Sequence, residues 1–254
     1  MKKIIKKIFK KIINKILLNG FEARSLDFED KTDLFHFTND YRRHVQQLIK
    51  ENDIDTAMSL AVGGQWEEIG IKLSKLVQSQ GVSSGMDVLD FGCGSGRLAY
   101  ALAQDVDLKS YVGLDVVQEL LTYAEQKCPK HYKFILNNSL SIPFKDSQFD
   151  FALGFSIFTH LLQTEIMLYS KEIFDLLKPG GIFIYSFLEF EYHWDIFERD
   201  YITHKKYSRP YPVLNMFLNR NQIEIMASKC GFVVEKFIEP QKLGQSVVIL
   251  KKPN

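Results

Sequence analysis

The stretch that most constrains the fold is a short apolar run that ends in an acid and is followed at once by a glycine-rich turn. It covers Met86 to Tyr100 and reads MDVLDFGCGSGRLAY. Val88 and Leu89 favour a buried strand, and three glycines at alternate positions favour a tight turn in which the backbone can approach a ligand. The start of a helix is expected after the turn. This order predicts a strand, turn and helix of the kind that binds nucleotides in α/β proteins.

The glycine spacing and the preceding acid narrow the choice of ligand. The dinucleotide fingerprint GxGxxG places its third glycine where this chain has Arg97. A carboxylate at Asp90, the strand tip, would repel a pyrophosphate seated on the helix N-terminus, but it would attract a ligand that carries an ammonium and a sulfonium group. Both features disfavour NAD and favour S-adenosylmethionine.

The segment DFGCGSGRLA resembles the first motif of the class I S-adenosylmethionine-dependent methyltransferases, and the likeness continues in order through the strands that follow. The resemblance implies that Asp115, after the strand Tyr111 to Leu114, accepts both ribose hydroxyls, since two carboxylate oxygens suit a vicinal diol. It implies adenine contacts from NNSLSIPF, where Asn138 replaces the commoner Asp. The implied cofactor contacts are Asp90, Gly92, Gly94, Gly96, Asp115, Val116, Asn138, Ser139 and Phe155.

The order of elements predicts the fold class. Apolar runs alternate with helical patterns after the glycine-rich turn, and the last two runs, Phe232 to Phe237 and Ser246 to Leu250, are close enough to form an antiparallel hairpin. Together with the resemblance, this order implies an α/β fold: a Rossmann-like, doubly wound, seven-stranded and mostly parallel sheet with an antiparallel last strand. Helices are expected before it over Asp40 to Lys50, Asp55 to Val62 and Gln65 to Gln80.

Changes in composition predict three segments. Residues 1–20 are expected to form a basic amphipathic helix, residues 21–39 an acidic linker and residues 40–254 a methyltransferase domain. Within the domain we expect N-terminal helices over 40–85, a cofactor-binding core over 86–187, a substrate insert over 188–218, and the last helix and strand hairpin over 219–254.

The N-terminal segment concentrates the basic charge of the chain. Residues 1–20 contain seven Lys and no acid, which leaves 25 basic and 31 acidic residues, a net charge of −6, for the remainder. Isoleucine pairs recur every four residues opposite the lysines, and because lysines interrupt them the segment predicts neither a secretory signal nor a membrane span. Residues 1–18 therefore predict contact with an anionic membrane, or alternatively packing on protein. Nucleic acid is not the expected partner.

The three cysteines, Cys93, Cys128 and Cys230, are far apart and lack metal-ligand spacing. They predict free thiols in a reducing compartment, and no metal site is expected. The predicted location is cytoplasmic, at the inner face of the membrane if the basic helix is an anchor.

Candidates for chemistry lie near the fourth and fifth strands. The insert over 188–218 is rich in aromatic residues, including Tyr192 and Trp194, and is expected either to form the acceptor pocket or only to cover the sheet. His160 and His193 are the candidate general bases, ahead of Glu189 and Glu191. The HExxH, GxSxG and GK[ST] motifs are absent from the sequence, which gives hydrolase and nucleotide triphosphatase functions no support.

The sequence therefore predicts an S-adenosylmethionine-dependent methyltransferase that acts on an oxygen or nitrogen of a small-molecule or lipid-like acceptor. Two alternatives stay open: a regulatory or assembly protein that binds S-adenosylmethionine without turning it over, and a nicotinamide oxidoreductase. The position of Arg97 and the C-terminal hairpin both disfavour the oxidoreductase.

Overall fold

The computed structural model describes residues 38–207 and 214–254, so the predicted basic helix over 1–20 and nearly all of the linker over 21–39 lie outside the described residues. Three helices come first, in agreement with the sequence: α1 (Thr38–Glu51), α2 (Ile54–Ala61) and α3 (Trp66–Ser79). The remaining elements in chain order are β1 (Asp87–Phe91), α4 (Arg97–Leu102), β2 (Ser110–Asp115), α5 (Gln118–Lys127), β3 (Lys133–Leu136), β4 (Phe149–Gly154), α6 (Gln163–Leu176), β5 (Leu177–Glu189), α7 (Trp194–Tyr207), β6 (Phe217–Leu218), α8 (Arg220–Cys230), β7 (Val233–Ile238) and β8 (Ser246–Lys251).

Seven strands form one continuous sheet in the order β3-β2-β1-β4-β5-β8-β7. Neighbours from β3 to β5 are parallel, and β8 runs antiparallel to both β5 and β7. This arrangement confirms the predicted Rossmann-like sheet with its antiparallel last strand. The two-residue strand β6, which the sequence did not predict, pairs with the end of β5 through Leu188 and Glu189.

Helices cover both faces of the sheet, which explains why the central strands are apolar runs without alternation. All five residues of β1 are buried. One core cluster joins the strands to α6 and α8, and a second joins them to α3, α4 and α5. Within residues 38–207 and 214–254, no helix is both long and apolar enough to span a membrane.

Two acids in the buried strand β1 are exceptions that require partners, because a buried charge is costly unless it is paired. Asp87 has them: Lys109 and Lys178 each donate to its carboxylate over 2.9 Å. Asp90, at the other end of the strand, receives a hydrogen bond from the neutral hydroxyl of Tyr111. The buried acid at the carboxyl end of β1 could therefore form an ion pair with a cationic ligand.

The N-terminal helices are fixed above this end of the sheet. Asp53 precedes helix α2 and caps it, since its side chain accepts from the backbone N–H of Thr56 over 3.0 Å. Trp66 Nε1 donates to Ser95 Oγ over 2.9 Å, and Ser95 Oγ donates to the carbonyl of Met58 over 3.1 Å. These bonds tie α2 and α3 to the glycine-rich turn, so the helices form a roof over it.

Candidate functional site

A cleft of about 360 Å³ opens at the carboxyl ends of β1, β2 and β4. This volume lies within the range of about 300 to 1,000 Å³ that is usual for small-molecule pockets. The sequence-predicted residues that line the cleft are Asp90, Gly92, Gly94, Asp115, Phe155 and His160. An adjoining cavity of about 50 Å³ shares Gly92 and Asp115 with the cleft and adds Val116. Residues that the sequence predicted from separate strands thus meet at one edge of the sheet.

At two positions of the turn, Gly92 and Gly94, any side chain would clash with neighbouring atoms. Gly92 has φ +82°, and a Cβ there would lie 2.8 Å from the Cβ of Ile157. Gly94 has φ +56°, and a Cβ there would lie 2.7 Å from Val62 Cγ1 in the roof. Only glycine tolerates both the left-handed backbone and this close approach. Gly96, the residue before α4, lies against Ala124 and lines neither cavity.

Asp90 is buried in the cleft wall. Burial raises the pKa of its carboxyl to about 7, the Tyr111 hydrogen bond opposes this shift, and the neighbouring Asp115 adds to it. A positive group beside Asp90 would stabilise its ionised form. The carboxylate of Asp90 therefore suits the ammonium or sulfonium of S-adenosylmethionine, the ligand that the sequence predicted from an acid at this position.

Asp115 is held by the main chain. Gly94 N donates to Oδ2 over 2.9 Å and Val117 N donates to Oδ1 over 3.0 Å, while burial raises the pKa of the carboxyl to about 6. Each carboxylate oxygen accepts one main-chain bond and has capacity for another. A vicinal diol could donate to the two oxygens, so this geometry fits the ribose of the predicted cofactor.

The predicted adenine segment is arranged differently from the sequence expectation. Asn138 and Ser139 are exposed, and both lie outside the two cavities. Asn138 Oδ1 accepts from Arg42 Nη2 over 2.6 Å, and Arg42 Nε donates to the carbonyl of Val116 over 3.0 Å. The side chain that lines the smaller cavity is the buried Asn137, one residue earlier.

Two further residues of the site, Tyr41 in α1 and Arg97 in α4, were not predicted as site residues from the sequence. Tyr41 lines both cavities, and its hydroxyl donates to the carbonyl of Ala61 over 3.2 Å. Arg97 Nη1 donates to the carbonyl of Val62 over 2.7 Å, and burial lowers the pKa of its guanidinium while Tyr41 and Asp90 oppose that shift. The chain before β1 contributes both to the cleft, through Ala61 and Val62, and to the core, through Val45 and Met58.

His160 lies on the cleft wall after β4. Its Nδ1 is 2.7 Å from the carbonyl oxygen of Leu214, and since a carbonyl only accepts, Nδ1 carries the hydrogen. Burial lowers the pKa of the imidazole, so the ring is neutral near pH 7. The Nε2 lone pair can then accept a proton, and the geometry is suited to a general base.

His193 lies outside both cavities and is only 5% exposed. Its Nδ1 and Nε2 each lie 2.9 Å from a main-chain oxygen, that of Glu189 and that of Gly244 respectively. With both ring nitrogens engaged by the backbone, this histidine has no position from which to take a proton from an acceptor. Glu189 is likewise engaged, because Arg220 and Ser246 both donate to its carboxylate.

The described residues of the insert over 188–218 line neither cavity. Tyr192 and Trp194 are 40% and 53% exposed, and helix α7 contains no buried residue. The insert reaches the site indirectly, since Leu214 bonds His160 and Met216 N donates to the carbonyl of Thr159 over 2.7 Å. In the parts of the chain that the structure describes, no group of three or more His, Cys, Asp or Glu is placed to hold a metal.

Residues 88–181 match a family model described as a methyltransferase domain. Among curated proteins, the chain is 31% identical over 137 residues to the sterol 24-C-methyltransferase of Aspergillus fumigatus, a match that covers 52% of this chain and 34% of that enzyme. It is 30% identical over 114 residues to the demethylmenaquinone methyltransferase of Lactococcus lactis, covering 42% of this chain and 44% of that enzyme. The chain therefore spans less than half the length of either relative.

Among solved structures, the fold is similar to that of magnesium protoporphyrin IX methyltransferase from Synechocystis with bound S-adenosylhomocysteine. The TM-score is 0.62 at 15% identity, and the match covers 85% of this chain and 97% of that one. At this identity the likeness establishes the fold. Strand order, glycine turn and family match agree: residues 88–181 match a methyltransferase domain, and the fold is the Rossmann-like fold of S-adenosylmethionine-dependent methyltransferases.

Proposed function

We propose that this protein transfers the methyl group of S-adenosylmethionine to an oxygen or nitrogen of a small-molecule or lipid-like acceptor. The observation that carries the proposal is one cleft in which two buried carboxylates, Asp90 and Asp115, flank the glycine turn and a neutral histidine, His160, lines the wall. When bound, S-adenosylmethionine supplies an electrophilic methyl group. The residues of the chain have three tasks: binding this cofactor, holding the acceptor and removing a proton.

Binding follows from the charges of the cleft. Asp90 pairs with a cationic part of the cofactor, and Asp115 accepts from the two ribose hydroxyls while Gly94 N and Val117 N hold its carboxylate in place. Val116 and Asn137, in the smaller cavity, are placed beside the ribose-binding carboxylate and are proposed to contact the adenine. We retain Asn138 and Ser139 as proposed rim contacts, which requires Arg42 to release Asn138 Oδ1.

Proton removal is assigned to His160. A hydroxyl or amine that gains a methyl group loses a proton, and Nε2 of His160 takes it, which converts the ring to an imidazolium. The carbonyl of Leu214, 2.7 Å from Nδ1, stabilises that imidazolium. Phe155 and Ile157 line the same part of the cleft and limit the access of water to the reacting atoms.

A lipid-like acceptor is supported by the exposed aromatic side chains of α7. Trp194, Phe197 and Tyr201 are exposed and stand at i, i+3 and i+7 of α7, so they share one helix face. Lys205 and Lys206 follow in the last turn. Exposed Trp and Tyr beside lysines are typical of segments that rest in the interfacial region of a bilayer.

We therefore propose that the protein works at an anionic membrane surface on the cytoplasmic side, with the face of α7 and the lysines of residues 1–18 in contact with lipid. The two curated relatives are named for action on a sterol and on demethylmenaquinone, both of them lipids, which supports the same acceptor class. The sterol relative is named for methylation at carbon, so the relatives do not support an oxygen or nitrogen acceptor atom. That part of the proposal rests on His160, the proposed base that would remove a proton from such an atom.

The experiment is a transfer screen with methyl-labelled S-adenosylmethionine and cell extract fractionated into lipid, glycan, protein and small-molecule pools. We expect label in the lipid or small-molecule pool, on an oxygen or nitrogen. Label on carbon would refute the role of His160 as proposed. Tight cofactor binding without label in any pool would instead favour a regulatory or assembly protein.

A further inference from the structure

Gln245, in the loop before β8, lines the cleft, and its neighbours Gly244 and Ser246 are each hydrogen-bonded to other parts of the fold. We propose that Gln245 determines acceptor specificity by donating a hydrogen bond from its amide Nε2 to an oxygen atom of the acceptor. This inference rests on the proposed methyl transfer and specifies which acceptors the cleft takes.

The amide of Gln245 is oriented by two hydroxyls. Ser186 Oγ donates to its Oε1 over 2.7 Å, and Ser156 Oγ donates to the same oxygen over 3.2 Å. Ser186 Oγ also accepts the backbone N–H of Ser156 over 2.7 Å, which leaves the hydrogen of Ser186 for the amide oxygen. With Oε1 held on the sheet side, the Nε2 group is the part of the amide left for a ligand.

The chain on both sides of Gln245 is fixed by buried groups. The carbonyl of Gly244 is 2.9 Å from Nε2 of His193, and Ser246 Oγ donates to Glu189 Oε2 over 2.7 Å. Arg220 holds the same carboxylate through two nitrogens, over 2.7 and 3.2 Å. His193 is thus a positioning residue, since it fixes the backbone that carries Gln245.

Gln245 lines the cleft together with Ser156 and His160. It bonds Ser156, which has φ +61°, an uncommon value for a residue other than glycine, and which immediately precedes Ile157 and the helical turn that carries His160. A strained residue at a strand tip, held by side-chain bonds, is typical of functional sites. The proposed base and the proposed amide donor therefore border the same space.

The chemistry of the amide selects the acceptor. A neutral N–H donor favours a carboxylate, carbonyl or phenolic oxygen, and it offers nothing to an ammonium group, which only donates. We infer that the acceptor carries such an oxygen at or beside the atom that is methylated.

The test uses the full chain saturated with S-adenosylhomocysteine, titrated calorimetrically with dodecanoate, with naphthol and with dodecylamine, which has the chain of dodecanoate without an oxygen. Gln245→Leu should weaken binding of the oxygen probes by roughly five- to tenfold and leave dodecylamine unchanged, since one hydrogen bond is lost. Gln245→Glu should weaken dodecanoate further and strengthen dodecylamine. The control Gln241→Leu, an exposed glutamine of the same loop, should change nothing.

His193→Ala should weaken the oxygen probes as Gln245→Leu does, and the double variant should be no worse than either single one, because both act through one contact. If His193→Ala does not fold, Gln245→Leu alone decides. The inference is overturned if Gln245→Leu binds the oxygen probes as the wild type does, or if the saturated wild type binds neither of them. A wild type that does not bind S-adenosylhomocysteine refutes the proposed function itself, and the inference with it.

Discussion

The hydroxyl of Tyr111 donates a hydrogen bond to the carboxylate of Asp90, and both side chains are buried between β1 and β2. Burial raises the pKa of the Asp90 carboxyl to about 7. The hydrogen bond from Tyr111 lowers that pKa and so only partly offsets the effect of burial. The ligand-free protein therefore keeps an acid that is costly to ionise. A cationic ligand removes that cost, so binding and stability are linked at this residue.

Asp90→Asn should stabilise the ligand-free protein near about pH 8. The folded pKa of about 7 lies above the usual value of 3.8, so the stability that the protonated acid contributes is complete below pH 3.8 and is lost as the pH rises through 7. Asparagine avoids this loss and can still accept from Tyr111. Thermal melts should show a midpoint raised by about 2 to 4 °C for each kcal/mol recovered.

The matched control is Asp146→Asn, an exposed carboxylate outside both cavities, whose melting midpoint should not move with this pH profile. A lower midpoint for Asp90→Asn than for the wild type at alkaline pH would contradict the account, because it would mean that the ionised carboxylate is stabilised by the fold itself.

Affinity for S-adenosylmethionine should fall as the pH drops below 7, because the cofactor needs Asp90 in its ionised form and protons compete for it. For one linked proton the slope is about tenfold per pH unit. Fluorescence or calorimetric titrations across this range measure it. Asp90→Asn should bind weakly at every pH with the slope reduced, whereas an unchanged slope would assign the proton to another group.

Some residues of the site are determined by their neighbours in sequence, and others depend on tertiary packing. Asp90, Gly92, Gly94 and Asp115 were predictable, because each stands at a strand end or in a turn whose backbone its own neighbours dictate. The residues proposed to contact the adenine were not predictable, because the orientations of Asn137 and Asn138 depend on the path of the chain after β3. No local pattern shows which of two adjacent amides turns inward.

Residues that reach the cleft from distant segments gave no sequence signal. Tyr41 approaches from α1 and Gln245 from the loop before β8, and only tertiary packing brings them to β1 and β4. His193 was a candidate base in the sequence, yet both of its ring nitrogens lie 2.9 Å from main-chain oxygens, which indicates a structural role. The aromatic insert was expected to form a pocket or a cover; in the structure Phe190, Phe197 and Phe217 pack on one another, while Tyr192, Trp194 and Tyr201 are exposed.

His160→Ala should slow methyl transfer on the alkaline plateau and remove the acidic limb of the rate profile. Burial lowers the pKa of this imidazole below its usual value of 6.5, so wild-type activity should fall only at pH values below that. Initial rates with labelled cofactor and the acceptor found by the screen provide the profile. A variant that retains the acidic limb would make His160 a structural residue.

Replacing Trp194, Phe197 and Tyr201 together by serine should reduce flotation of the full chain with anionic vesicles, because it removes the exposed aromatic face of α7. The control replaces Ile225 and Val233, which are 54% and 56% exposed on other elements, by serine and should float like the wild type. Raised salt should weaken binding of all forms, since lysines contribute about 1 kcal/mol each near such a surface.

If the triple variant floats as the wild type does, α7 does not contact the membrane, and any membrane contact is made by residues 1–18. The fluorescence of Trp194 is a second, local probe of contact between α7 and the membrane. Its fluorescence should shift to shorter wavelength on vesicles, whereas Trp66, which is hydrogen-bonded to Ser95 inside the roof, should not respond.

The most direct test of the central claim is calorimetric titration of the full chain with S-adenosylmethionine and with S-adenosylhomocysteine. We predict one site for each, and for Asp115→Ala a loss of roughly ten- to a hundredfold in affinity, since a charged hydrogen-bond partner of the ribose is removed. Circular dichroism should show that the variant is folded. A folded wild type that binds neither compound would contradict the assignment of the cleft between β1, β2 and β4 as the cofactor site.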